Sequence, residues 1–189
     1  MFACDYPLST EAIREAYFIG TRGDISTAEF IEQYTRHFPI PEQGPQIGMI
    51  QLETPYVQVV ERSEQALNYH APDAVQEFLG TLTEFQVRVQ IFFTPSYSAA
   101  VRVKHGKITV RAASFWRDFK IKLSQHTEIQ PERVTEHALY GNGRNGRWQG
   151  AEVELDYPAT AVRSEPAQVE VRGPGGSDAT ANFDLAKLH

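Results

Sequence analysis

The sequence predicts an α+β protein that is mainly β, an antiparallel β-sandwich with an N-terminal helical hairpin. Apolar residues recur at helical spacing up to residue 38, and from residue 46 onward apolar and polar residues alternate. The predicted strands follow one another through short turns, without the regular strand–helix alternation of a parallel sheet. We expect one domain over residues 1–189, with 9–38 as the helical hairpin and 46–187 as the β-rich body.

The helices are predicted from their caps and their apolar stripes. Ser9 can cap a first helix, and Gly20 is expected to end it. Ser26 opens a segment with the spacing of a capping box, which predicts a second helix over 26–38 that the following prolines stop. A short third helix is predicted at 72–79.

The strands are predicted from alternation with a period of two. In the clearest one, every second residue from Phe85 to Ile91 is aromatic or β-branched, and the residues between them are polar. His105-Gly106 and Pro174-Gly175-Gly176 are typical of hairpin turns. The predicted strands are 46–52, 56–61, 85–94, 99–104, 107–112, 115–123, 151–157, 167–172 and 179–185.

Charge and composition exclude some partners. The chain has 18 Lys and Arg against 24 Asp and Glu, a formal net charge of −6. The average field of such a surface repels a phosphate backbone, so nucleic acid is not expected as a partner. No stretch approaches the roughly 18 consecutive apolar residues of a membrane span, and the single cysteine cannot form an internal disulfide.

Two segments resemble motifs of nucleotide and zinc sites, but each lacks a required feature. Gly141–Gly146 matches G-x-G-x-x-G, yet a strand rather than a helix is predicted to follow it, which favours a glycine-rich hairpin loop. The segment 133–137 differs by one residue from the inverted zinc motif H-x-x-E-H, and Arg133 occupies a ligand position. We therefore predict a solvated polar segment there, and the sequence assigns no catalytic residue, metal ligand or cofactor.

Three aromatic residues are candidates for stacking on a ligand: Trp148, Trp116 and Tyr140. They lie near polar or glycine-rich segments, and flat exposed rings can stack on sugar faces or hold a peptide. Trp148 is the strongest candidate because its Gly and Arg neighbours indicate an exposed loop. The alternative for all three is packing in the core of the sandwich.

Cys4 is a candidate lipid anchor. A small residue precedes it in Ala3-Cys4-Asp5, as at the cleavage site of a bacterial lipoprotein. If Cys4 is lipidated, we expect the protein in the periplasm or cell envelope, with membrane contact only through this lipid. The alternative is an incidental cysteine on a cytoplasmic protein.

The start Ala3-Cys4-Asp5, taken with a C-terminal stretch, resembles the bacterial cell-envelope lipoproteins that place a β-sandwich behind a short N-terminal segment. The C-terminal stretch runs from Ala167 to Val171, through Pro174-Gly175-Gly176, to Phe183-Asp184-Leu185. The resemblance implies a location and a scaffold, not an activity. It also implies that Asp5 resembles an inner-membrane retention signal if Cys4 is lipidated.

Three functions remain open from the sequence. The first is a non-enzymatic cell-envelope protein whose sandwich binds another envelope protein or a polysaccharide. The second is a hydrolase in which the fold brings carboxylates together with His137 or His70, and a deep pocket lined by paired carboxylates would favour it. The third is a carbohydrate or small-ligand binding module that uses Trp148 and its loop.

Overall fold

The structure of the protein, a computed structural model, describes residues 7–80, 84–102, 107–141 and 146–188. Within these ranges the helices are α1 (Thr10–Arg22), α2 (Ile25–Glu32), α3 (Pro55–Gln65) and α4 (Ala71–Phe78). The strands are β1 (Thr35–His37), β2 (Gln46–Glu53), β3 (Glu84–Phe92), β4 (Ala100–Arg102), β5 (Ile108–Val110), β6 (Lys120–Ser124), β7 (Glu128–Ile129), β8 (Arg133–Tyr140), β9 (Trp148–Pro158), β10 (Pro166–Arg172) and β11 (Asp178–Asp184). The predicted class, α+β and mainly β, is confirmed.

The strands form two larger sheets and a separate ribbon. The five-stranded sheet has the order β1-β2-β3-β9-β8, and the four-stranded sheet has the order β11-β10-β6-β7. Every neighbouring pair in both sheets is antiparallel. Strands β4 and β5 pair only with each other among the described strands, and we call them the β4–β5 ribbon.

The two larger sheets pack face to face across one apolar core, which confirms the predicted antiparallel sandwich. In β3 every second residue from Phe85 to Ile91 is buried, as the alternation predicts. The same period occurs in β9, β10 and β11. Side chains from both sheets belong to one cluster, which includes Val89, Val153, Val169 and Phe183. Their burial is the main hydrophobic contribution to the stability of the sandwich.

Helix α1 begins where the sequence predicts. The Ser9 hydroxyl accepts a hydrogen bond from the backbone N–H of Ala12 at 3.2 Å. The helix continues past Gly20 to Arg22 and ends at Gly23, whose φ of 56° is the left-handed conformation that glycine adopts most easily. The predicted end at Gly20 is therefore two residues early.

The predicted second helix, 26–38, is shorter and begins at a different cap. The carboxylate of Asp24 accepts hydrogen bonds from the backbone N–H groups of Ser26 (2.9 Å) and Thr27 (3.3 Å), so Asp24 is the N-cap rather than Ser26. Helix α2 ends at Glu32, and the residues after it form β1 against the edge of β2. Tertiary strand pairing thus outweighs the helical spacing of the apolar residues in this segment.

The segment 56–61, predicted as a strand, is part of helix α3. The hydroxyl of Thr54 accepts a hydrogen bond from the backbone N–H of Val57 at 3.2 Å, and Pro55 occupies the first turn, where no N–H is required. The β-branched residues that indicated a strand are buried against other helices, and Val59 and Val60 are fully buried. The Thr-Pro pair was the sequence signal for a helix start that the alternation concealed.

Four further predictions are changed or confirmed. The segment 133–137, predicted as solvated and polar, belongs to edge strand β8. The predicted strand 115–123 begins only at Lys120, because a 3-10 helix occupies Ala113–Asp118. The helix at 72–79 corresponds to α4, and Pro174-Gly175-Gly176 connects β10 to β11 as a hairpin. The turn at His105-Gly106 and the candidate anchor Cys4 lie outside the described residues.

Helices α1, α3 and α4 share a second apolar cluster, which joins the N-terminal part of the chain to the sheet. Ala12, Ile13 and Ala16 of α1 pack with residues of α3 and α4. Helix α3 also contacts the segment before β1, where Tyr34 is fully buried against Val57. These contacts place α3 between the other helices and the polar face of the five-stranded sheet.

Close approach of α1 to α3 requires a glycine at position 20. A Cβ built on Gly20 would lie 2.1 Å from the backbone O of Val60 and 2.8 Å from Cβ of Ser63. We expect Gly20→Ala to lower the free energy of unfolding by about 1–3 kcal/mol, since the helices must move apart. In an uncrowded helix the same change is stabilising by up to about 1 kcal/mol. Urea denaturation measures whether the free energy of unfolding falls or rises, with Thr21→Ala on the exposed side of α1 as the control. A stabilised Gly20→Ala variant would contradict this packing.

Candidate ligand-binding site

A cleft of about 580 Å³ lies at one end of the five-stranded sheet. It forms where β3 ends and β9 begins, two positions that the antiparallel pairing of Phe92 with Gly150 brings together. We call it the Trp148 cleft; it is lined by Gln46, Phe92, Phe93, Thr94, Pro95, Ser98, Ala99, Arg147, Trp148 and Gln149. Its volume is in the range of about 300–1,000 Å³ that is typical of small-ligand sites.

Aromatic side chains form one wall of the cleft. The rings of Phe93 and Trp148 meet edge to face, with centroids 4.7 Å apart and an angle of 84°. Phe115 supports both rings from the sandwich core, at 4.8 Å from Phe93 and 5.7 Å from Trp148. The indole N–H of Trp148 donates to the backbone O of Gly150 at 2.7 Å, which fixes the orientation of the ring. Trp148 is half-buried and therefore contributes ring surface, but no free donor, to the cleft.

The segment from Thr94 to Ser98 forms a second wall, and it is held by hydrogen bonds. The hydroxyl of Thr94 donates to the backbone O of Gly44 at 2.6 Å and accepts from the backbone N–H of Tyr97 at 3.1 Å. The hydroxyl of Ser96 accepts from the backbone N–H of Gly44 at 3.0 Å, and the Ser98 hydroxyl donates to the backbone O of Ala100 at 2.5 Å. This wall is consequently preformed, and the hydroxyl protons of Thr94 and Ser98 are already donated within the protein.

Only one of the three predicted stacking residues lies in the cleft. Trp148 lines it, but it is the half-buried first residue of β9 rather than part of the exposed loop that its Gly and Arg neighbours indicated. Trp116 is half-buried in the 3-10 helix and packs on the sandwich core, with the guanidinium of Arg117 at 5.4 Å from its ring centroid. Tyr140 is 64% exposed at the end of β8 and does not line the cleft. Of the predicted glycine-rich loop, residues 142–145 lie outside the described residues, while its ends join β8 to β9 as predicted.

Sequence reasoning missed the other half of the cleft. Phe93 and Thr94 lie directly after β3. They line the cleft because the chain turns there and the Thr94 hydroxyl bonds to the backbone of Gly44. The available signal was Phe93-Thr94-Pro95-Ser96, an aromatic residue followed by a proline-containing turn at the end of the clearest predicted strand. Gln46 comes from a distant part of the sequence, and only the pairing of Gln46 with Phe92 reveals its place.

A cluster of charged groups covers the polar face of the five-stranded sheet, which is the face turned away from the sandwich core. We call it the Arg88 cluster, because the guanidinium of Arg88 contacts the carboxylates of Glu53, Glu61 (3.3 Å) and Glu154 (3.1 Å). The amide of Gln51 also donates to Glu61, at 2.8 Å. Since Glu61 belongs to α3 and the other groups to β2, β3 and β9, these contacts attach the helix to the sheet.

Burial changes the protonation of Glu53 in this cluster. Its side chain is 1% exposed, and this burial, together with the nearby carboxylate of Glu61, raises its pKa from 4.5 to about 8. Arg88 acts in the opposite direction on Glu53 but does not cancel the effect of burial. Although burial alone lowers the pKa of Arg88, Glu53 and the other carboxylates raise it above its usual value, so Arg88 stays charged.

The two histidines considered for a hydrolase have different surroundings. Nε2 of His137 lies 3.4 Å from a carboxylate oxygen of Glu154, at the exposed rim of the Arg88 cluster. His70 is the N-cap of α4, and its backbone N–H donates to the carboxylate of Asp73 at 2.9 Å. Asp73 thus stabilises a helix start rather than orienting a base. The fold therefore brings His137, but not His70, to the carboxylates of the Arg88 cluster.

A second depression, of about 520 Å³, lies on α2 and the turn after it. It is lined by Ala28, Glu29, Glu32 and Gln33, and no aromatic ring contributes to it. Among the described residues, no group of three or more His, Cys, Asp and Glu side chains is arranged to hold a metal ion. No helix in the same part of the chain is long and apolar enough to cross a membrane.

Comparison of the chain with models of known protein families, with curated protein sequences and with solved structures gives no match in any of the three cases.

The raised pKa of Glu53 predicts a pH-dependent stability. Between pH 4.5 and about 8 the folded protein holds a proton on Glu53 that the unfolded chain releases. Stability is therefore lost as the pH rises through this window, by at most about 1.4 kcal/mol per pH unit for this one group. We expect Glu53→Gln to flatten the decline, measured by urea denaturation from pH 5 to pH 8. Glu29→Gln, at an exposed carboxylate, is the control, and an unchanged slope in Glu53→Gln would show that another group titrates.

Proposed function

We propose that the protein is a non-enzymatic binding module and that the Trp148 cleft holds a sugar or a sugar-like small ligand. The observation that carries this proposal is the half-buried Trp148, whose ring lines the cleft between two exposed polar residues, Arg147 and Gln149. An apolar ring surface bordered by hydrogen-bonding groups matches a sugar, which has apolar C–H faces and polar hydroxyl edges.

The rigidity of the site supports binding. Phe115 holds Phe93 and Trp148 from behind, and Thr94 and Ser96 hold the second wall to Gly44. A preformed site loses little conformational entropy when a ligand is bound. The cleft therefore needs no rearrangement to present its ring and its polar rim.

The composition of the cleft supports binding rather than hydrolysis. Glycoside hydrolysis generally uses two carboxyl groups beside the scissile bond. Among the described residues, the lining of the cleft contains no Asp, Glu, His or Cys. The carboxylates and His137 of the Arg88 cluster are elsewhere, on the polar face of the sheet, and three of those carboxylates contact Arg88.

Tryptophan fluorescence tests the proposal, because the chain has only two tryptophans. In the Trp116→Phe variant, Trp148 is the sole reporter. We expect titration with cellotetraose, chitotetraose and tetragalacturonate to change its emission saturably for at least one of the three. Replacing the ring by Trp148→Ala is expected to weaken that binding at least about tenfold, since stacking area is lost.

Two controls separate binding from folding in this experiment. Isothermal titration calorimetry measures the affinity of Trp148→Ala, whose fold is verified by circular dichroism and thermal denaturation. Phe18→Ala removes an exposed aromatic residue of α1, outside the cleft, and is expected to leave the affinity unchanged. If none of the three sugars binds the Trp116→Phe variant, or if Trp148→Ala binds as well as the parent, the proposed site is wrong.

The location of the binding module depends on Cys4. We propose the cell envelope, with a polysaccharide or another envelope protein as the partner, on the resemblance of Ala3-Cys4-Asp5 to a lipoprotein start. We expect the protein expressed from its full natural gene to gain the mass of a lipid and to partition into membranes. Both effects are expected to disappear in Cys4→Ser. An unmodified product in the aqueous fraction would place the binding module in the cytoplasm.

A further inference from the structure

Charge is unevenly distributed along the sequence. Residues 85–117 and 137–151 are the two longest stretches without Asp or Glu. Together they contain none of the 24 acidic residues and eight of the 18 Lys and Arg: Arg88, Arg102, Lys104, Lys107, Arg111, Arg117, Arg144 and Arg147. In a chain with a net charge of −6, such stretches indicate a local positive field.

The fold brings the two stretches together at the Trp148 cleft. The first supplies Phe92–Pro95, Ser98 and Ala99 and continues into the β4–β5 ribbon, and the second supplies Arg147–Gln149. The ribbon is tied to the cleft wall, because the backbone N–H of Arg111 donates to Ala99 at 2.7 Å. The guanidinium of Arg111 lies 3.8 Å from the ring centroid of Tyr97, on the same wall segment.

Arg147, which lines the cleft, differs from two arginines of the five-stranded sheet in having no carboxylate partner among the described residues. Arg88 contacts the side chains of Glu53, Glu61 and Glu154, and Arg133 lies 2.5 Å from Asp156 and 2.9 Å from Glu84. Arg147 is exposed, and its charge is therefore available to a ligand.

Arg147 supplies the only charged side chain in the described lining of the cleft. The protons of the Thr94 and Ser98 hydroxyls are used within the protein, as is the indole N–H of Trp148. The guanidinium of Arg147, which can only donate, and the side-chain amide of Gln149 remain. A ligand rich in acceptors and carrying negative charge satisfies these donors best, and a carboxylate matches the guanidinium geometry.

We propose that the ligand of the Trp148 cleft is an acidic sugar oligomer, in which one sugar stacks on Trp148 while its carboxylate pairs with Arg147. This inference rests on the proposed function and specifies the chemical class of its ligand. An acidic sugar fits better than single-stranded nucleic acid, because a phosphate backbone requires a more extended basic surface than a protein of net charge −6 offers.

A matched pair of ligands tests whether the carboxylates of the sugar contribute to binding. Tetragalacturonate and its methyl ester share the same sugar rings and hydroxyls, but only the first carries carboxylates. In the Trp116→Phe background we expect the acid to bind about tenfold more tightly than the ester at low salt. The difference is expected to shrink at about 0.5 M sodium chloride, where exposed charges are screened.

A matched pair of variants tests whether Arg147 pairs with the carboxylate of the ligand. Arg147→Gln is expected to weaken binding of the acid about five- to tenfold and to leave binding of the ester unchanged, because only the charged pair is lost. Arg163→Gln is the control: it removes an exposed arginine that follows the opposite end of β9. Arg147→Lys, which retains the charge, is expected to recover part of the affinity for the acid.

The outcomes distinguish this inference from the proposed function. Equal affinity for acid and ester, both lost in Trp148→Ala, would retain a sugar-binding cleft and overturn the acidic ligand. Binding of neither probe, while cellotetraose or chitotetraose binds, would also overturn it. An oligothymidylate that binds more tightly than tetragalacturonate, with loss in Arg147→Gln, would replace the acidic sugar by nucleic acid.

Discussion

Strand β3 is buried on one face and half-buried on the other, and this constraint organises the rest of the molecule. On one face, the residues from Phe85 to Ile91 enter the core of the sandwich. On the other face, Arg88 is covered by α3 and meets the carboxylates around it. Phe93 and Thr94, which follow the C-terminal end of β3, line the Trp148 cleft. A single strand therefore connects the hydrophobic core, the attachment of the helices and the candidate site.

The polar face of β3 explains why the helices are held to the sheet by charge. Removing a guanidinium from water is costly unless acidic groups surround it, and the half-buried Arg88 contacts the side chains of Glu53, Glu61 and Glu154. Because Glu61 lies on α3, moving the helix would remove one of the acidic partners of Arg88. The ionic contacts thus define the position of α3, while Val59 and Val60 provide the apolar contact with the other helices. One face of α3 makes the ionic contacts, and another face packs against the other helices.

The two ends of the five-stranded sheet differ in whether their arginines have carboxylate partners. Arg133 at the start of β8 is compensated by Asp156 and Glu84, which lie at the same end of the sheet. At the other end Arg147 and the ribbon face solvent without such partners among the described residues. Arg147 is the only charged side chain in the described lining of the cleft, so the charge at the cleft is opposite in sign to the net charge of the chain. An anionic small ligand is compatible with the same net charge that argues against a long phosphate backbone.

The sequence by itself determined the period of the strands and the antiparallel class. These features are local, because alternation marks which face of a strand is buried and short turns join neighbouring strands. It did not determine α3, β1 or β8, since the β-branched residues of α3 and the polar residues of β8 fit more than one local conformation. Packing on α1 and pairing with β9 decided between them.

Only the tertiary structure assembled the cleft and the Arg88 cluster. Gln46, Phe93 and Trp148 are far apart in the sequence, and strand pairing alone brings them to one end of the sheet. Likewise, the protonation of Glu53 depends on burial and on Glu61, neither of which a sequence pattern displays. Local patterns record how each residue meets its neighbours in the chain, whereas sites are made by contacts between distant residues, which form only when the chain folds.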